Sequence, residues 1–108
     1  MTGVQTCALP IFYHPHTEKI ILLQCTGSYP VAFNEMDLKV IETYRKSFPY
    51  TVGLSDHFPS ITFAGPSYVL GARVIEKHFT LNRAMRGTDH AFSLEPHALA
   101  KWSRTCAG

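Results

Sequence analysis

The feature that most constrains this chain is the spacing of three short apolar runs, Ile20–Cys25 (IILLQC), Thr51–Ser55 (TVGLS) and Arg73–Phe79 (RVIEKHF). Each has the length of a strand, and helix-period segments stand between them. The first run is continuously apolar, bounded by Glu18-Lys19 and by Thr26-Gly27-Ser28, the pattern of a strand buried on both faces of a parallel sheet. Asn34 is placed as an N-cap, and Met36, Val40, Ile41, Tyr44 and Phe48 then recur at helical spacing up to the breaker Pro49. Ser60 is placed to cap a second helix carrying Ile61, Ala64, Tyr68 and Val69, closed by Gly71, with Pro66 expected to kink it. After a polar loop from Asn82 to Phe92, Ser93 is the expected cap of a last helix with Pro96 in its first turn. Strands joined by helical crossovers of this length run parallel in right-handed units. The fold class is therefore α/β, as an open doubly wound sheet or a (β/α)8 barrel. Both place function at the C-terminal ends of the strands.

Composition excludes more than it selects. The 108 residues carry a net charge of +2 and are 45% hydrophobic, which is a globular balance. That charge, with no Lys/Arg stripe interleaved with aromatics, gives no reason to expect nucleic acid. No apolar stretch approaches the roughly 20 residues of a membrane span. Cys7, Cys25 and Cys106 are odd in number and show no CxxC spacing, so a reducing, cytoplasmic setting is the expectation. No GxGxxG or Walker-type glycine pattern follows a strand, and no serine is flanked as GxSxG.

Met1–Ile11 (MTGVQTCALPI) has no periodicity, no basic n-region and no sustained apolar core. It reads as translated adapter sequence, so residues 1–11 are expected to be an artefact and residues 12–108 the domain proper. His14 and His16 precede a strand and are expected at the surface, as is the helical His97; His90 is open between surface and site.

The polar residues gather where the strands end. Thr26, Gly27, Ser28 and Tyr29 follow the first strand; Ser55, Asp56 and His57 end the second; Glu76, Lys77 and His78 end the third. Polar groups on buried strands cost stability unless paired. Residues two apart share a face, so Ser55 and His57 belong together, as do Glu76 and His78. On neighbouring strands the two histidines would converge, and neutral imidazoles suit a divalent transition metal such as Mn, Fe or Zn. Glu76, one pleat deeper, is placed to accept a histidine N–H. The 21-residue spacing of the histidines matches no local metal motif. Two buried histidines bonded to backbone are an equal reading on this ground alone.

Four segments, CTGSYP at 25–30, VGLSDH at 52–57, LGARVIEKHFT at 70–80 and RGTDHAFSLEP at 86–96, resemble the sialic acid synthase family. Its members make N-acetylneuraminate and related nonulosonates. The resemblance runs in order from about Ile20 to Lys101. It implies the last three strands and helices of a (β/α)8 TIM barrel.

By the same resemblance, phosphoenolpyruvate condenses with an N-acylmannosamine-type sugar and releases phosphate. A divalent metal, Mn2+ first and Mg2+ or Co2+ as alternatives, would fall on His57 and His78. Asp89 and Tyr29 match the family's sugar-facing aspartate and its tyrosine before proline, and are the expected catalytic residues. Ser55, with Ser28, Thr26 and Glu76 around it, is the expected substrate-binding set.

One position departs from the pattern. Gly27 stands where many members carry Asn or Ser, so Ser28 or a backbone N–H would hold the phosphate instead. The RGTDH loop leaves the sugar subclass open. The family's carboxylates, its phosphate-binding lysines and its antifreeze-like domain match nothing in this sequence. The expectation is a partial domain, inactive and aggregation-prone alone, from a parent that forms a homodimer. A metal-dependent barrel hydrolase and a non-catalytic barrel segment are the alternatives.

Overall fold

The computed structural model describes residues 20–107. The Met1–Ile11 segment expected to be an artefact lies outside the described residues, as do Cys7, His14 and His16. Three parallel strands, β1 (Ile21–Cys25), β2 (Thr51–Asp56) and β3 (Val74–Lys77), form one sheet in the order β1-β2-β3. Helix α1 (Lys39–Ser47) connects β1 to β2, α2 (Ala64–Val69) connects β2 to β3, and α3 (Pro96–Ala107) follows. The parallel α/β order is the one expected from the apolar runs.

One face of the sheet is closed by the helices. Val52 and Leu54 of β2 are buried with Ile41 of α1, Met36, Val31, Phe63 and Ala72, and Leu22 packs at the edge. At about 1.5–3 kcal/mol for each fully buried large aliphatic side chain, this cluster is the main source of stability. The opposite face carries Ile21, Cys25 and Glu76, all exposed. Between them Gly53 is obligatory, because a Cβ there would run into the Val74 carbonyl and Leu23 Cδ2.

The helix ends differ from the sequence expectation in four places. Asn34 lies in a short 3-10 turn (Phe33–Glu35), and α1 starts only at Lys39, after Asp37 takes a positive φ of 49°. Ser60 caps no helix; its hydroxyl accepts the Thr62 N–H at 3.2 Å in a local turn, and α2 begins at Ala64. Pro66 therefore falls in the first turn of α2, where its missing N–H has no helical acceptor to lose, and no kink is needed. Pro96 opens α3 directly, so Ser93 is not its cap. Gly71, at φ 117°, ends the α2 segment as expected. Its N–H donates to Tyr68 O.

Candidate active site

The pairing register brings the polar strand ends together. Ser55 pairs with Glu76 and Asp56 with Lys77, each 21 residues apart, and His57 and His78 continue the same offset one residue beyond the strands. Since side chains alternate along a strand, Ser55–Glu76 and His57–His78 lie on the open face and Asp56–Lys77 on the helix face. The two imidazole centroids are 5.5 Å apart, with the rings at 85°. The spacing that matched no local motif is the register of the sheet.

Each ring turns Nδ1 toward an oxygen, but only that of His57 is within hydrogen-bond distance. His57 Nδ1 is 3.2 Å from the Ser28 carbonyl oxygen. A carbonyl only accepts, so this bond requires the proton on Nδ1 and leaves the lone pair on Nε2. Cys25 Sγ lies 3.8 Å from that Nε2. His78 Nδ1 faces Asp89 Oδ2 at 3.8 Å, and its backbone carbonyl accepts the Leu94 N–H at 3.0 Å. The Ser28 carbonyl bonded to His57 Nδ1 is the kind of contact that orients an imidazole as a metal ligand, and Asp89 stands near His78 without reaching hydrogen-bond distance.

Tyr29 is wedged between the histidines. Its ring stacks on His78 at 4.6 Å and meets His57 edge-on at 5.2 Å and Phe92 edge-on at 5.8 Å. Ser93 Oγ donates to the Asp89 carbonyl at 2.6 Å, which leaves its oxygen to accept the Tyr29 hydroxyl proton at 3.1 Å. This is what occupies Ser93 in place of a helix cap. The Asp89 carboxylate is 54% exposed and open to a ligand.

The other expected site residues are already engaged. Ser55 is buried and donates to Glu76 Oε1 at 2.6 Å. Glu76 thus serves Ser55, its register partner, and not a histidine N–H as the strand alternation suggested. Thr26 donates its hydroxyl to the Glu35 carbonyl at 2.8 Å, fastening the loop after β1. Ser28 contributes its carbonyl to His57. At Gly27 the space a Cβ would fill is open.

Three features were not anticipated. Asp56 and Lys77 form a buried ion pair at 3.2 Å, with side chains 0% and 4% exposed. Burial pushes the Lys77 ammonium below its ordinary value, against the pull of Asp56 beside it. Arg83 Nε donates to the Ser93 carbonyl at 2.8 Å and Nη2 to Pro59 O at 3.3 Å, pinning the Asn82–Phe92 loop. His90 Nδ1 is 2.6 Å from Thr80 Oγ1, so His90 anchors that loop. The one sequence signal for the ion pair was the 21-residue spacing it shares with the histidines.

Among the described residues no group of three or more His, Cys, Asp or Glu is arranged to hold a metal ion, and no helix is long and apolar enough to cross a membrane. Two converging imidazoles fit a divalent ion whose remaining ligands are oxygens of substrate or water, provided the Cys25 thiol gives up its contact with His57 Nε2.

Comparison with known proteins gives a consistent picture. The sequence profile of the NeuB family matches residues 3–107. The chain is 48% identical over 82 residues to the N,N'-diacetyllegionaminic acid synthase of Campylobacter jejuni, covering 76% of this chain and 25% of that enzyme. It is 39% identical over 92 residues to human N-acetylneuraminate-9-phosphate synthase, covering 84% of this chain and 26% of that enzyme. The crystal structure of an N-acetylneuraminic acid synthetase from Leptospira borgpetersenii superimposes with a TM-score of 0.76 at 36% identity, over 81% of this chain and 30% of that one. The chain spans about a quarter of the length of the synthases it matches.

Proposed function

The chain belongs to the NeuB family, and on that premise we propose that it is a segment of a cytoplasmic nonulosonic acid synthase. The enzyme condenses phosphoenolpyruvate with an N-acylmannosamine-type sugar and releases phosphate. In this reading the sheet is the last three strands of a (β/α)8 barrel, and its open face is the barrel interior. The observation that carries the proposal is the facing of His57 and His78 at 5.5 Å on adjacent strand ends, with oxygens behind both Nδ1 atoms.

His57 and His78 would hold a divalent ion, Mn2+ first, which supplies Lewis-acid polarisation of the open-chain sugar aldehyde. The Ser28 carbonyl keeps the His57 proton on Nδ1 and its lone pair turned to the site. Tyr29 covers one face of His78 and keeps water from it. Asp89 accepts hydrogen bonds from sugar hydroxyls, since its carboxylate stands open beside His78. Ser55 meets the phosphate with its hydroxyl once that proton turns from Glu76.

The test is product formation by the intact protein that contains this chain. With Mn2+, phosphoenolpyruvate and N-acetylmannosamine or a diacetamido-sugar analogue, it should release phosphate and form the matching nonulosonate. The 108-residue chain alone should form none. No product from the intact protein with any of these sugars would overturn the proposal, as would full activity in both His57→Ala and His78→Ala.

A further inference from the structure

On the helix face of the sheet, behind the histidines, Asp56 and Lys77 grip one residue from both sides. Asp56 Oδ1 accepts the Phe58 N–H at 2.9 Å, and Lys77 Nζ donates to the Phe58 carbonyl at 2.5 Å. Nζ also stands 3.2 Å from Asp56 Oδ2. Phe58 directly follows His57, and Lys77 directly precedes His78. One buried ion pair therefore ties together the two backbone segments that carry the imidazoles.

Stability alone does not explain the pair. Removing two charges from water costs about as much as their attraction returns, and apolar side chains of the same volume often do as well or better. An apolar pair, however, has no direction and would leave both polar groups of Phe58 without these partners. What the charges add is orientation. The Phe58 ring is held separately, edge-on to Phe63 at 4.9 Å, so the residue is fixed through its side chain as well as its backbone.

We propose that Asp56 and Lys77 are positioning residues, a clamp on the outer face that acts through Phe58 to set the separation and facing of His57 and His78. The proposal rests on reading those histidines as a metal pair. It extends that reading to two side chains that touch neither metal nor substrate.

The test uses the intact protein and two charge-neutral double variants, Asp56→Asn/Lys77→Met and Asp56→Leu/Lys77→Met. Mn2+ affinity is read by electron paramagnetic resonance of the free ion, folding by thermal melting, and the His57 Nδ1–H by histidine-selective NMR of the metal-free protein. Both variants should fold. Outer contacts that orient metal-bound histidines are worth roughly 10–100-fold in affinity, and the Leu/Met variant should lose that much Mn2+ affinity together with the His57 Nδ1–H signal. The Asn/Met variant keeps an acceptor for the Phe58 N–H and should lose less. Parent-like affinity and His57 signal in folded variants would overturn the clamp, and so would failure of both variants to fold, which would make the pair a stability element. A parent protein that binds no Mn2+ would instead defeat the metal reading, leaving the clamp to be decided by the His57 signal.

Discussion

Ser55 donates its hydroxyl proton to Glu76 Oε1 at 2.6 Å across β2 and β3, one pleat below the two histidines. Its length is that of a charge-assisted bond, and it commits a buried hydroxyl that the proposed chemistry needs for phosphate. Ser55→Ala should raise the KM for phosphoenolpyruvate about tenfold, equivalent to losing roughly 1.4 kcal/mol of binding. Glu76 is exposed, so water can replace Ser55 as its partner, and the stability cost should stay near 1 kcal/mol. Steady-state kinetics and denaturant midpoints of the intact protein check both figures.

Tyr29 makes ring contacts and a hydrogen bond, and two substitutions separate them. Tyr29→Phe keeps the stacking on His78 and loses only the hydroxyl's contacts with Ser93 Oγ and the Asp89 carbonyl, at a cost of about 1 kcal/mol. Tyr29→Ala removes the wedge between His57, His78 and Phe92 and should cost about 3–5 kcal/mol. If Tyr29 positions the imidazoles, Mn2+ affinity follows the same order, near parent in the Phe variant and much weaker in Ala. Equal affinity in the two variants would contradict this.

At Gly27 the position has room for a side chain, and no positive φ restricts it. Gly27→Asn should therefore change stability by no more than about 0.5 kcal/mol. Asn there restores the residue expected to help hold phosphoenolpyruvate, so its KM should fall. An unchanged KM would mean that Ser28 or a backbone N–H already fills the role.

Gly53 is the opposite case. An added Cβ meets the Val74 carbonyl on the neighbouring strand as well as Leu23, and backbone cannot give way as a side chain can. Overpacking of this kind costs typically about 1–3 kcal/mol, and Gly53→Ala is expected at the upper end. Its melting temperature against that of the parent is the measure.

The strands were legible because apolar runs that short, separated by crossovers that long, have few other ways to bury themselves. The helix starts were harder to read, since local bonds compete for the same residues. Ser60 is taken by the Thr62 N–H, Ser93 by Asp89 and Tyr29, and the positive φ at Asp37 delays α1 to Lys39. At the site, alternation gave the correct face for Ser55, His57, Glu76 and His78, yet it could not say which side chains would bond. Glu76 bonds its register partner Ser55, since both lie in one cross-strand row. Asp56 and Lys77 face the helices, where polar residues are not looked for, and only the shared register exposes them as a pair.

His57 and His78 together are proposed to hold the divalent ion. Mn2+ titration of the intact protein, followed by electron paramagnetic resonance, tests it most directly. The parent should show one tight site, and each of His57→Ala and His78→Ala should lose at least about tenfold in affinity, 1.4 kcal/mol or more. Parent-level Mn2+ binding in both variants, with the proteins still folded, would contradict it.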